Sequence, residues 1–380
     1  MTEIHGTTDP KFEVVRDAFA RNFEEGLDVG ACVAVSVEGE TVVDLWAGHA
    51  DEAKTRPWER DTIVNVYSTT KTMTALCALI LADRGELDFH APVAQYWPEF
   101  AQNGKEALEV RHVMGHASGL SSWEEAIPIE VLYDWDKAAS LLAAQAPAWE
   151  PGTASGYHAW TRGYMIGEVV RRITGKSLGT FFRDEVAAPL GADFHIGLPA
   201  SEDARVGEML PPANLPSDAV NAGDTSVGAR SMGNPPVTAL EPRTEAWRRA
   251  EIPSAGGIGN ARSVMRVQSV MANGGEFEGV RLLSEAGCEA VFEEQTNGPD
   301  LFSGNPVRHG MGYGLWRAEE PITPSPRTCY WGGWGGSIVT VDMDARVCLA
   351  YVPNQMESTT TGDRRSARIN RAVYGTLGLL

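Results

Sequence analysis

The sequence predicts an α+β fold. An antiparallel sheet, flanked by helices, takes strands from both ends of the chain and carries an inserted, mostly helical domain. Three observations predict it. Short β-like runs cluster before residue 68 and again after residue 310. Between about 86 and 196 the periodicity is mostly helical, punctuated by Pro and Gly. Strands and helices do not alternate through the middle third, as a sheet wound with helices on both faces would require.

Taken in order, residues 11–25 form an amphipathic helix, with Phe12, Val15, Phe19 and Phe23 at helical spacing. ACVAVSV (31–37) and TVVDLWAG (41–48), split by Glu38-Gly39-Glu40, make a hairpin. TIVNVY (62–67) is a third extended run. It leads into a helix that is apolar nearly all round and therefore buried, closed by Gly85. In the middle, 131–145 and 160–174 are the clearest helices. Residues 199–250 are rich in Pro, Gly, Ser, Asp and Asn, as in a functional rim, a cover or a disordered stretch. A helix near 261–273, strands at 311–317, 327–331, 336–342 and 346–352, and a last helix over 363–377 complete the chain. The division expected is 1–85 and 245–380 for the sheet domain, with 86–244 inserted and its irregular rim at 199–244.

With 43% hydrophobic and 22% charged residues the 380-residue chain has the composition of a globular protein with a large core. Its net charge of −19 argues against nucleic acid and anionic membrane surfaces as partners. No apolar run approaches the roughly 18 residues of a membrane span. The polar start, MTEIHGTTDP, does not read as a secretory signal. Cys32, Cys77, Cys288, Cys329 and Cys348 are odd in number and sit among apolar or small neighbours, which fits buried free thiols in a reducing cytoplasm.

Two stretches offer a catalytic serine. GKSLG (175–179) fits the G-x-S-x-G of a nucleophile elbow, which must sit on a strand-to-helix turn. The residues before it, YMIGEVVRRIT, repeat at helical spacing. Gly175 therefore reads as a helix C-cap and Ser177 as the N-cap of the next helix, 178–188. STTK (68–71) fits S-x-x-K. An extended run turns there into a buried helix, so the Ser68 hydroxyl lies at a helix N-terminus, where orphan N–H groups favour an oxyanion. Lys71, three residues on, shares its face. Burial depresses a lysine's pKa, and a base working near neutrality needs about three units, roughly 4 kcal/mol. The bland alternative is a capping serine beside a solvated lysine. Downstream, Tyr157 lies in a Gly-rich loop, AWEPGTASGYHAW, before a helix, and Trp331-Gly332-Gly333 opens a strand where glycines admit another backbone or a substrate.

With these residues the chain resembles the serine β-lactamase and penicillin-binding-protein superfamily, most closely class C β-lactamases and family VIII carboxylesterases. The carriers are Ser68-Thr69-Thr70-Lys71, Tyr157-His158-Ala159 and Trp331-Gly332-Gly333, supported by HVMGHASGL (112–120), WEPGT (149–153), ITGKSLG (173–179) and SAGGIG (254–259). Their order spans nearly the whole chain. The resemblance implies a β-lactamase-like fold and an acyl-enzyme on Ser68. It makes Lys71 and Tyr157 a coupled base system, with the ammonium expected to lower the Tyr157 pKa. It also implies an oxyanion hole from the backbone N–H groups of Ser68 and Trp334.

Two departures bear on substrate. Ala159 stands where the family carries an asparagine, and Trp331 where β-lactamases carry a carboxylate-binding lysine. Both remove handles for a β-lactam or a peptidoglycan peptide. Trp331, Trp334 and Trp160 favour an apolar, uncharged group, with His158 a further candidate contact. The expected protein is a serine carboxylesterase acting on small to medium esters, without cofactor or metal. Acyl transfer, amidase or D-aminopeptidase action, weak β-lactamase action and a catalytically silent binding protein are the alternatives. His112 and His116 have i, i+4 spacing but no third metal ligand; His309, in the loop PVRHGMGYG, is a minor candidate for reaching the site.

Overall fold

The computed structural model describes residues 2–212 and 226–380. Its centre is a nine-stranded antiparallel sheet. In spatial order the strands are Ile4–Thr8, Glu40–Gly48, Gly30–Val37, Val347–Pro353, Ile338–Asp342, Thr328–Gly332, Gly314–Leu315, Pro306–His309 and Thr296–Pro299. The two chain ends meet at the pairing of Gly30–Val37 with Val347–Pro353, with Ala34 opposite Ala350.

The central strands are buried on both faces, and their alternation divides two cores. Ala31, Val33 and Val35 face one cluster with Ile338, Leu349 and Tyr351. It is closed by Val15 and Phe19 of helix Glu13–Glu24 and by Ile369, Val373 and Tyr374 of helix Arg364–Leu377. Cys32, Ala34, Val339, Val341 and Ala350 face the larger cluster. There they meet helices Ala261–Ala272 and Thr70–Asp83 and the helical middle of the chain. Residues 70–81 are all buried, as an all-round apolar helix requires. The five cysteines are free and buried.

Some elements differ from the sequence expectation. The run at 62–67 is a strand at Val64–Asn65, with Ile63 bridged to Val206, and a 3₁₀ turn, Tyr67–Thr69, precedes the helix. The helix expected over 131–145 is a 3₁₀ turn, Ile129–Tyr133, then Trp135–Ala144. Asp134 breaks it by capping the second piece through the Lys137 N–H. The segment 178–188 is the short helix Leu178–Phe182 running into a π turn, Arg183–Ala187. The strand expected over 311–317 shrinks to Gly314–Leu315, because residues 310–313 form the turn that pairs His309 with Gly314, with the Gly310 N–H on the Tyr313 carbonyl and the Gly312 N–H on the Gly310 carbonyl. Within 199–250 the described residues form short turns and helices, among them Val227–Gly233 and Glu245–Arg249; 213–225 lie outside the described residues.

Candidate active site

The edge of the larger core brings together three distant parts of the chain. Helix Thr70–Asp83 starts where Tyr67, with φ +44°, swings the chain out of Val64–Asn65. That turn presents Ser68, nearly buried at 9% exposure, with Lys71 one helical turn on at 1%. The loop before helix Thr161–Thr174 delivers Tyr157. Its carbonyl accepts from Ser231 Oγ, 2.7 Å away, and its N–H donates to the Asp300 carboxylate. Ser68 Oγ is 2.6 Å from Tyr157 OH and 3.1 Å from Lys71 Nζ.

Lys71 Nζ has two further neighbours. It donates to the Ala159 carbonyl at 2.8 Å and the Ser254 carbonyl at 3.0 Å. Burial, reinforced by the field of Arg162, holds its pKa well below the ordinary lysine value. A neutral amine has two N–H groups and one lone pair. As a neutral amine Lys71 spends both N–H groups on those carbonyls and turns its lone pair to the Ser68 hydroxyl; as an ammonium it donates to all three oxygens.

The Tyr157 expectation is corrected. Burial pushes the phenol up to about 12, against the opposing hydrogen bond to Ser68 and the Arg162 field. The expected lowering needs an ammonium at Lys71, and burial disfavours that charged form. Burial therefore favours the protonated phenol at Tyr157, 2.6 Å from Ser68 Oγ.

The third motif lies against the nucleophile turn. Gly333 N–H donates to the Ser337 carbonyl (2.8 Å). Ser337 Oγ donates to the Val66 carbonyl (2.8 Å) and lies 3.0 Å from Thr69 Oγ1. The glycines of this motif admit backbone. A Cβ on Gly333 would stand 2.1 Å from the Val66 oxygen, and one on Gly332 2.6 Å from the Thr361 Cα. Gly332 also borders the cleft. The Ser68 amide lies in the 3₁₀ turn Tyr67–Thr69, and the Trp334 amide follows the two glycines of the third motif. The Trp334 ring packs 5.2 Å from Tyr67.

A cleft of about 950 Å³ reaches Tyr157 and is bordered there by Phe302, His309, Trp331 and Gly332. Trp331 stacks 6.1 Å from Tyr157 and 5.2 Å from His116, and Phe302 meets Tyr157 edge-on at 5.2 Å.

Two predicted contacts are corrected. His158 is fully buried. One ring nitrogen lies 2.6 Å from Ser118 Oγ and the other 2.5 Å from the Gly156 carbonyl, so the ring shapes the loop and does not face the cleft. Trp160 is 3% exposed and packs edge-on against Trp247 within the core. His112 and His116 do not share a helix face, since the helix is Val110–Met114 and His116 has φ +61°. Among the described residues, no group of three or more His, Cys, Asp or Glu is arranged to hold a metal ion. Ser177 caps Leu178–Phe182 through the Thr180 N–H and donates to Glu251 (2.6 Å), while Gly175 is left-handed at the preceding C-cap.

Sequence reasoning missed Ser254, Asp300, Phe302 and Arg162. Ser254 sits inside SAGGIG, where its carbonyl holds Lys71 and its hydroxyl accepts the Gly163 N–H. Arg162 was visible as a charge on the buried face of an apolar helix, with Met165 and Ile166 one turn on.

A hydroxyl at a helix start, with a buried lysine amine and a phenol within hydrogen-bond reach of it, is the arrangement of a serine acyl-transfer enzyme. The model of the beta-lactamase family matches residues 19–374, and the chain belongs to that family. It is 37% identical over 365 residues to Esterase/beta-lactamase LipL of Mycobacterium tuberculosis, spanning 93% of this chain and 84% of that protein. Among solved structures it is similar to a family VIII carboxylesterase, at 44% identity and TM-score 0.93, covering 98% of this chain and all of that one. It is also similar to a penicillin-binding protein homologue from Caulobacter crescentus, at 37% identity and TM-score 0.92, covering 99% and 100%.

Proposed function

We propose that this chain is a serine carboxylesterase that hydrolyses small to medium uncharged esters through an acyl-enzyme on Ser68. The observation that carries this is the buried Lys71 Nζ, 3.1 Å from Ser68 Oγ and bonded to two carbonyls, an arrangement that as a free amine leaves its lone pair for Ser68. In acylation Ser68 Oγ attacks the ester carbonyl and Lys71 takes its proton. The oxyanion lies between the Ser68 and Trp334 amides. Tyr157 gives its proton to the leaving alkoxide and is refilled from the Lys71 ammonium. A water then takes the place of the alcohol beside Tyr157 and attacks the acyl-enzyme; its proton runs the relay in reverse, to Tyr157, with the Tyr157 proton passing to Lys71 and the Lys71 proton to Ser68 Oγ, which leaves as the hydroxyl.

Ester preference is supported by Trp331 and Phe302 beside Tyr157, by the lack of a lysine at position 331, and by Ala159 in the second motif. It is in keeping with the family VIII carboxylesterase neighbour. The inserted middle, residues 86–244, supplies Tyr157 as a separate domain in this reading. A cytoplasmic location fits the five free thiols.

The test is turnover of p-nitrophenyl acetate and butyrate beside a chromogenic cephalosporin. Ester turnover that Ser68→Ala abolishes, with the cephalosporin slower in kcat/KM, is expected. Efficient cephalosporin turnover with inert esters overturns it.

A further inference from the structure

The mechanism leaves the buried cation of Arg162 unused. Arg162 is 1% exposed, in the first turn of helix Thr161–Thr174. Its NH2 donates to the Gly312 carbonyl at 2.9 Å. Its Nε is buried and has no partner among the described residues. Its NH1 lies 3.4 Å from His116 Nε2. That nitrogen offers no lone pair, because His116 Nδ1 accepts the His158 N–H at 3.0 Å and the proton of the neutral ring must then sit on Nε2. The Trp331 ring lies 5.7 Å from the guanidinium carbon. Arg365, the other fully buried arginine of this size, is paired with Asp28 and Asp363. Buried charges are ordinarily paired in that way. Arg162 makes no ion pair among the described residues, so its field reaches its neighbours unneutralised.

We propose that Arg162 is the positioning residue of the proton relay, a fixed buried cation that keeps Lys71 a free amine and favours negative charge on the Ser68–Tyr157 oxygen pair. The proposal rests on the reading of Lys71 as the base. In support, Arg162 is the charge that adds to burial in disfavouring the Lys71 ammonium, and its field also acts on Tyr157. The other groups facing it do not cancel it. His116, His158 and His309 are held neutral by burial. The Tyr157 and Tyr313 phenols are held protonated by burial. Asp300 acts on Tyr157 and His309 in the opposite sense, but it is engaged by Ser155 Oγ and by the N–H groups of Phe302 and Ser303. A purely structural Arg162 would hold Gly312 and the Trp331 face and leave proton transfer unaffected.

The experiment compares pH profiles of kcat/KM for p-nitrophenyl butyrate, over about pH 5 to 10, with active sites counted by a serine-reactive phosphonate. The variants are Arg162→Met, Arg162→Gln (which keeps a donor for Gly312) and Arg162→Lys. In the two neutral variants the acid limb should move up by about one pH unit, roughly tenfold in rate on that limb. In Arg162→Lys it should stay where the wild type has it. A limb in the neutral variants that coincides with wild type, whatever its height, overturns the proposal. If neither neutral variant folds, a displaced limb in Arg162→Lys overturns it and an undisplaced one supports it. Undiminished turnover in Lys71→Met would instead remove the base reading, a failure distinguishable from either result.

Discussion

Replacing Lys71 with methionine isolates the amine. The side chain keeps its length and most of its volume, so the helix Thr70–Asp83 and its packing are retained. Three contacts go: the lone pair on Ser68 Oγ at 3.1 Å, and the donors to Ala159 O and Ser254 O. The first sets activity. A positioned general base contributes about 100- to 10,000-fold, which corresponds to about 2.7 to 5.4 kcal/mol of barrier. The other two set stability, since each orphaned buried carbonyl costs about 1–3 kcal/mol. Losing the desolvated amine offsets part of that. The assay is kcat/KM with p-nitrophenyl butyrate at matched folded concentration, judged by near-ultraviolet circular dichroism and melting. A fall of at least about 100-fold in a folded variant is expected. A folded Lys71→Met within about tenfold of wild type would refute the claim that this amine takes the Ser68 proton.

Two further outcomes follow from the same geometry. Gly333→Ala drives a methyl to 2.1 Å from the Val66 oxygen and displaces the turn after strand Thr328–Gly332 that carries the Trp334 amide; kcat should drop by about 100-fold or more, with KM changed far less. Acid should destabilise the fold through His158 and His309, whose burial lowers their pKa to about 3 and about 4. Below about pH 6.5 the unfolded chain takes up these protons and the native state does not. Stability measured by urea unfolding should therefore fall by about 1.4 kcal/mol per pH unit for each histidine down to about pH 4. A flat unfolding free energy across that window contradicts the buried, neutral assignment.

The sheet was legible where the chain alternates between two apolar faces or carries a hairpin turn, as at 31–37 and 41–48. It was not legible at Ile4–Thr8, whose residues are largely exposed on an edge, or at Thr296–Pro299 and Pro306–His309. Those strands are polar and carry Gly and Pro, so they form by backbone pairing with little apolar pattern to announce it. The nucleophile, its lysine and the tyrosine were readable because their chemistry demands fixed local spacing. Their supports were not. The Ser254 carbonyl, the Asp300 carboxylate and Arg162 act across the fold, and no spacing rule ties them to residue 68. His158 and Trp160 misled for the converse reason: both adjoin Tyr157 in sequence, but the turn into helix Thr161–Thr174 sends their side chains into the protein.

The most direct test of the central claim is where a serine-reactive p-nitrophenyl phosphonate attaches, read by intact mass and peptide mapping of wild type, Ser68→Ala and Ser177→Ala. One adduct per chain on Ser68, lost in Ser68→Ala and kept in Ser177→Ala, is the predicted result. Ser177→Ala should show only the loss of an N-cap, about 1 kcal/mol of stability. An adduct on Ser177, or one that survives Ser68→Ala, would contradict the account.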